Sequence, residues 1–252
     1  MAIIKCPQCG KEVSNRTQMC PRCNTVLIEV EEKEKVSVEK VKTTAKENII
    51  NVALSTLLVF VAFMLCNIIA QPIASFMGNN AVEAIQLAHK LAFSSTILVL
   101  ILSTVFFSVL PLLFRQKPDI GYISGIIITL ILCIVCYCKH NSIIGNGLLE
   151  LGRPDLYSMS AIYGKFNGFI VPLLHGAFSI MGYGKATKKF ISSSVISLGA
   201  FLVIFGIGSF LSVSVLAMGI TGIALIKTLG SILIFVFAVV KSDEMKRLIK
   251  KA

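Results

Sequence analysis

Two closely spaced cysteine pairs near the N-terminus carry the clearest chemical signal in this chain. Cys6 and Cys9 form one Cys-Pro-x-Cys turn, and after ten intervening residues Cys20 and Cys23 form a second one. Each such turn lets two thiolates converge, and two turns together complete a tetrahedral shell of four sulfur atoms. Because that shell leaves no open coordination position, the spacing predicts a structural Zn²⁺ site rather than a catalytic one.

The residues around the two turns favour the same interpretation. A proline inside each turn fixes φ, and the residue that follows each pair is Gly10 or Asn24, the two residue types that most readily adopt a left-handed conformation. The segment has too little apolar surface to fold unaided, so we expect the metal to supply most of its stability, of order 10 kcal/mol. Without zinc it is expected to be unfolded.

The N-terminal pattern Cys-Pro-x-Cys-Gly-Lys-Glu followed by Cys-Pro-x-Cys resembles the short zinc-ribbon module found at the N-termini of many bacterial membrane proteins. The resemblance covers residues 6–28 and implies that the same four cysteines are zinc ligands. It departs at Asn24, where many members of the family have glycine. In that family the module is an accessory, so the resemblance implies zinc binding and a cytosolic N-terminus without implying an activity.

The composition of the whole chain is that of an integral membrane protein. Of its 252 residues, 55% are hydrophobic and only 15% are charged, and the mean hydropathy is +0.83. These fractions argue against an ordinary water-soluble fold. The N-terminus has no apolar signal-peptide core, so we expect its cysteines to stay reduced in the cytosol, where metal binding is the usual role of such pairs.

The predicted fold is an all-α polytopic bundle in the membrane, preceded by the small zinc ribbon. A spanning helix needs roughly 20 largely apolar residues, and six segments qualify. The predicted domains are a ribbon at 1–28, a charged linker of uncertain helicity at 29–47, a membrane domain at 48–240 and a basic cytosolic tail at 241–252. The six predicted helices are 49–70, 91–114, 120–137, 166–181, 191–211 and 219–240.

The distribution of basic residues decides the predicted topology. The fourth segment is short and contains Asn167, Pro172 and His175, so hydropathy alone leaves five or six helices open. With six helices and a cytosolic N-terminus, 19 basic residues lie in cytosolic segments and four in outer loops, as the positive-inside rule requires. Five helices would place the basic tail outside. We therefore predict a multi-pass protein of the cell membrane with both termini cytosolic.

Two residues in the predicted helices are candidates for function. Lys227 is the charged side chain that lies well inside a predicted helix, where an ionisable group costs about 2.5–3.5 kcal/mol on insertion scales. If the helix starts later, Lys227 instead extends to the outer interface. His175 has the chemistry to relay protons or ligate a metal. No partner stands at ligand spacing beside it, so the alternative is a hydrogen-bonded packing histidine.

Two further features leave alternatives open. Gly121 and Gly125 form a G-x-x-x-G pair, which fits either an oligomer contact or packing within one bundle. The longest outer loop, Lys139 to Lys165, fits either a ligand-binding or partner-binding segment or a plain connector.

The sequence favours a non-enzymatic function. It contains no H-E-x-x-H, G-x-S-x-G or Walker lysine motif, so we expect no enzymatic activity. The first hypothesis is a membrane component that docks a protein partner through its ribbon. The second is a small-molecule or ion transporter or channel-like protein that uses Lys227 and His175. Nucleic-acid binding is disfavoured, because the ribbon has few basic residues and no aromatic residue for stacking.

Overall fold

The computed structural model of the chain describes residues 3–14, 17, 19–25, 29–114, 118–183 and 185–242. The chain divides into two compact units, Met1–Lys46 and Glu47–Ala252. The elements of the described residues are β1 (Ile3–Lys5), β2 (Glu12–Ser14), α1 (Glu29–Ser75), α2 (Asn79–Leu113), α3 (Pro118–Glu150), a short 3₁₀ helix (Pro154–Leu156), α4 (Tyr157–Gly182), α5 (Thr187–Ser214) and α6 (Gly219–Lys241). The prediction of an all-α bundle preceded by a small cysteine-rich segment is confirmed.

The N-terminal unit contains a two-stranded antiparallel hairpin. β1 pairs with β2 so that Ile4 lies opposite Val13, and the first cysteine turn connects the two strands. In the described part of this unit, the buried core consists of Val13 together with Cys6 and Cys20, and Cys9 packs against it. A core of this size is far below what a chain needs to fold by apolar burial alone, so this unit needs an additional source of stability.

The charged segment that follows the ribbon is helical. α1 begins at Glu29 and ends at Ser75, so the predicted linker and the first predicted membrane segment belong to one helix. Oppositely charged residues four positions apart, such as Glu29 and Lys33, favour this helix, and the segment contains no Gly or Pro to interrupt it. These effects outweigh the lower helix propensity of its valines and threonines.

Five helices of the described chain are long and apolar enough to cross a membrane, by length and composition. These segments are Lys46–Ser75, Asn79–Leu110, Ile120–Glu150, Thr187–Ser214 and Gly219–Lys241. Their outward faces carry large apolar side chains, as expected of surfaces that contact lipid. The second unit therefore has the character of a multi-pass membrane protein.

The remaining long helix, α4, is the centre of the bundle. It is not among the five apolar helices, because Lys165, Asn167 and His175 lower its hydropathy. Nineteen of its 26 residues are buried, including every residue from Ile170 to Gly182. It packs against α2, α3, α5 and α6. A helix enclosed by other helices does not need the apolar surface that lipid would demand, which explains why its sequence signal is weak.

Contacts at one end of the bundle bring together the start of its first helix and the end of α4. The side-chain amide of Asn51 donates 2.9 Å hydrogen bonds to the carbonyls of Gly182 and Lys185. At the same end, the hydroxyl of Tyr122 near the start of α3 donates to the carbonyl of Val239 near the end of α6, at 2.9 Å. A small apolar cavity lined by residues from α1 to α4 lies between these two contacts.

The opposite end of the bundle is joined by a different set of contacts. Arg153, just before α4, forms an ion pair with Glu83 in the first part of α2. The Ser160 hydroxyl donates to the Ala84 carbonyl at 3.1 Å. α4 therefore runs from one end of the bundle to the other, and its 26 residues correspond to about 39 Å of helix.

Several helices are longer than the predicted membrane segments. α2 begins at Asn79 rather than at residue 91, and α3 ends at Glu150 rather than at residue 137. The prediction of a long outer loop from Lys139 to Lys165 is therefore wrong, because the end of α3, the 3₁₀ helix and the start of α4 occupy most of it. Polar residues at helix ends lower hydropathy without breaking the helix, so hydropathy marks only the apolar middle of each helix.

The two glycines of the G-x-x-x-G pair pack within the chain. A Cβ on Gly121 would lie 3.1 Å from the Cβ of Phe114, and a Cβ on Gly125 would lie 3.1 Å from the ring of Phe107. Both contacts join α3 to the end of α2. The intramolecular alternative therefore accounts for the pair, since close approach of two neighbouring helices requires small residues there.

Candidate metal centre and buried lysine site

The four N-terminal cysteines converge on one point. Sγ of Cys6 lies 3.5 Å from Sγ of Cys23, and Sγ of Cys9 lies 3.5 Å from Sγ of Cys20. All four sulfur atoms lie within 4.8 Å of one another. A tetrahedral ion with metal–sulfur bonds of about 2.3 Å holds its sulfurs about 3.8 Å apart. The cluster therefore has the size and the donor set of a four-sulfur metal site.

Both cysteine turns have the same backbone conformation. In the first, the Cys6 N–H donates to the carbonyl five residues ahead at 2.8 Å, and the Gly10 N–H donates back to the Cys6 carbonyl at 2.9 Å. The second turn repeats both bonds at 2.9 Å, with Cys20 and Asn24 in the equivalent positions. Gly10 and Asn24 have φ of +69° and +54°, as predicted for the residues that leave each turn.

The pKa values of the clustered cysteine thiols indicate that a cation would stabilise the four thiolates. Hydrogen bonds with the side chain and backbone of Thr25 lower the pKa of the Cys23 thiol to about 6, and the thiolate is the metal-binding form. A backbone hydrogen bond from Lys11 favours the Cys9 thiolate, yet lost solvation and the three neighbouring cysteines raise its pKa to about 12. Four thiols this close repel one another once they lose their protons. They therefore ionise together only when a positive ion lies between them.

Lys227 lies inside the bundle and not at its edge. It is 1% exposed, and its Nζ donates to Oδ1 of Asn167 at 2.6 Å and to the hydroxyl of Tyr163 at 3.2 Å. The Nζ atom also lies 4.9 Å from the ring centre of Tyr163 and 5.9 Å from those of Phe63 and Phe205. The alternative in which Lys227 extends to the interface is therefore wrong, because hydrogen bonds and aromatic faces hold its ammonium group in the interior.

The surroundings of Lys227 include a residue that sequence analysis missed. Nε2 of the buried His89, in the early part of α2, lies 3.3 Å from the Tyr163 hydroxyl. The second predicted helix begins at residue 91, so His89 falls outside every predicted membrane segment. Tyr163 and Asn167 stand four positions apart on α4, a spacing that places both on one helical face. We call His89, Tyr163, Asn167 and Lys227 the lysine cluster.

His175 belongs to a separate polar group. Its Nε2 lies 3.1 Å from Oγ1 of Thr56 and 3.4 Å from Oγ1 of Thr104, and these two hydroxyls are 2.7 Å apart. The ring is fully buried. Among the described residues, His175 joins no cluster of metal-ligating side chains. The structure therefore shows His175 hydrogen-bonded through Nε2 where α1, α2 and α4 meet, as the packing alternative expects, while its buried Nδ1 has no partner among the described residues.

The structure does not bring His175 and Lys227 together. His175 follows Asn167 by eight residues on α4, which corresponds to about 12 Å along the helix axis. The buried residues Val171 and Leu174, both apolar, lie between them in sequence. The two candidate residues therefore occupy different sites.

Compared with known protein families, with characterised proteins and with solved structures, the chain matches none. The cysteine cluster and the buried polar groups are therefore the features of the chain that bear on its function.

Proposed function

We propose that this chain is a non-enzymatic membrane component whose N-terminal ribbon binds one Zn²⁺ and docks a protein partner. The observation that carries the proposal is the convergence of four cysteine sulfurs within 4.8 Å. Thiolate ligands in a tetrahedral arrangement suit Zn²⁺. With four protein ligands the shell is closed to water and substrate, so the ion would stabilise the ribbon and perform no reaction.

The exposed surface of the ribbon is what supports the docking part of the proposal. The ribbon lies in the N-terminal compact unit, and its small described core consists of Val13 and three of the four cysteines. What it presents to other molecules is its surface, where the Met19 side chain is 55% exposed. Flexible, polarisable methionines are common at adaptable binding surfaces. We therefore place Met19 in the proposed docking surface.

Capture of partners from membranes with the full-length protein tests this proposal. Cys9→Ser should lose both zinc and the captured partner, because it removes one ligand of the closed shell. Met19→Ser should lose the partner but keep zinc. Cys138→Ser is the matched control, since Cys138 is exposed on α3 outside the cluster. If Cys9→Ser or Met19→Ser captures the same partners as the unmodified chain, the proposed docking role is contradicted.

A transporter or channel-like function is the second candidate, and the burial of Lys227 favours it. A charged group in the membrane interior is expensive and is usually retained for a function. The separation of Lys227 from His175 argues against one continuous polar path through both residues. In a cell that shows a phenotype without the protein, loss of function with Lys227→Ala alone supports transport, and loss with Cys9→Ser alone supports docking.

We also propose that α4 crosses the membrane and that both termini face the cytosol of the cell. The proposal is supported by the positions of the ends of α4, which coincide with the two ends of the bundle. Six crossings also leave the basic residues concentrated on one side, as the positive-inside rule requires.

A further inference from the structure

The positive charge of Lys227 has no negative partner in the described part of the chain. The ion pairs of the described bundle residues involve Arg153, Glu83 and Asp155 at one end of the bundle. The titratable groups near Lys227 are Tyr163, His89 and the buried Cys66 thiol, and none of them carries a negative charge in its ordinary form. A buried charge is normally paired or otherwise compensated. The aromatic faces around Nζ compensate it only in part.

The unused hydrogen-bonding groups of the lysine cluster are donors. Asn167 accepts from Lys227 through Oδ1, which fixes the orientation of its amide, since the reverse orientation would set two donors against each other. Its Nδ2 atom is buried and has no hydrogen-bond partner among the described residues. Lys227 has three N–H groups and uses two of them, on Asn167 and Tyr163. Tyr163 can direct its own proton to His89.

We propose that Lys227 and Asn167 bind one small monovalent anion, of the size of chloride or formate, within the bundle. An anion would accept from the unused N–H groups of both side chains and would balance the charge of the ammonium group. A water molecule would satisfy the donors but would leave the charge unbalanced. Tight packing by Phe63, Tyr163 and Phe205 favours a compact anion. The inference is independent of docking through the ribbon.

Thermal unfolding of the full-length protein in detergent tests the proposal. The salts are chloride, formate and gluconate at equal ionic strength, and gluconate is too large for the site. A ligand that binds only the folded state raises the melting temperature, so chloride or formate should raise it by about 3 °C or more relative to gluconate. A response to chloride alone assigns a halide site, and a response to both assigns a site for small anions generally.

Variants separate this site from general salt effects. Lys227→Met should abolish the response, whereas Lys241→Met, which removes the same charge from an exposed position on the same helix, should retain it. Asn167→Asp supplies a carboxylate beside Lys227 and should make the melting temperature independent of the anion. This variant keeps the test valid if Lys227→Met fails to fold. Equal melting temperatures in chloride, formate and gluconate for the unmodified chain would overturn the proposal. So would an undiminished response in Asn167→Asp.

Discussion

At the residue scale, the geometry of the candidate metal site depends on two residues outside the four cysteines. Gly10 and Asn24 leave their turns with positive φ, and each donates its N–H back to the first cysteine of its pair. Glycine adopts this conformation without strain, asparagine adopts it with little, and a β-branched residue adopts it only at a considerable cost. The geometry of the four sulfurs therefore depends on Asn24 as well as on the cysteines.

Substitution of Asn24 tests this dependence. Asn24→Gly should bind zinc as tightly as the unmodified chain, because φ of +54° is free of strain for glycine. Asn24→Val should bind zinc about tenfold more weakly, because the left-handed conformation costs roughly 1–2 kcal/mol for a residue with a Cβ. Competition with a chelator of known zinc affinity measures the difference. Equal affinities for the glycine and valine variants would show that the turn does not constrain the site.

The cysteine cluster could be predicted from sequence, whereas the lysine cluster could not. Cys6 to Cys23 lie within one short segment, so spacing alone brings the sulfurs together. Lys227 could be placed inside a helix, but its partners Tyr163 and Asn167 are 64 and 60 residues away on α4. Hydropathy indicates which residues enter the membrane and carries no information on which helix faces which.

At the element scale, α4 shows how hydropathy can misjudge the centre of a bundle. Hydropathy measures the preference of a segment for lipid, and α4 is surrounded mainly by protein. The small and polar residues of α4 pack against or form hydrogen bonds with neighbouring helices. Among these, Gly168 lies directly against α3, where an added Cβ would be 3.0 Å from the backbone carbon of Cys136 and 3.1 Å from its oxygen.

The glycine contact between α3 and α4 gives a prediction with a matched control. Gly168→Ala should destabilise the bundle by about 1–3 kcal/mol, because backbone atoms cannot yield as a flexible side chain would. Gly199→Ala should be neutral or slightly stabilising, since Gly199 is an exposed helical position with no atom within 4 Å of an added Cβ. Unfolding of both variants in detergent compares them. Equal stability would mean that α3 and α4 are not this close.

At the scale of the whole molecule, the number and order of helices followed from sequence, but their lengths did not. The six predicted segments all overlap helices of the structure, and each helix extends beyond the apolar part that marks it. α1 continues back to Glu29 and α3 continues on to Glu150 through segments that contain polar residues. Such residues are compatible with a helix but do not raise the hydropathy that marks a membrane segment. The membrane boundaries within these helices remain predictions.

The topology of the molecule can be tested directly. Reporters fused before Met1 and after Ala252 should both read cytosolic, because six crossings return the chain to the side on which it began. The contact of Asn51 with Gly182 agrees with this, since it places the start of the apolar part of α1 and the end of α4 at one end of the bundle. An outer reading for the C-terminal reporter would mean an odd number of crossings.

We propose that a closed zinc site stabilises the ribbon and that the membrane bundle folds without it. The decisive measurements are the zinc content and the melting temperature of purified full-length protein. They are made on the unmodified chain, Cys9→Ser and Cys138→Ser. We predict one zinc per chain in the unmodified protein and in Cys138→Ser, little or none in Cys9→Ser, and the same melting temperature of the bundle in all three. If Cys9→Ser retains zinc, the four-cysteine site is wrong, and if its bundle fails to accumulate in the membrane, the ribbon and the bundle are not separate units.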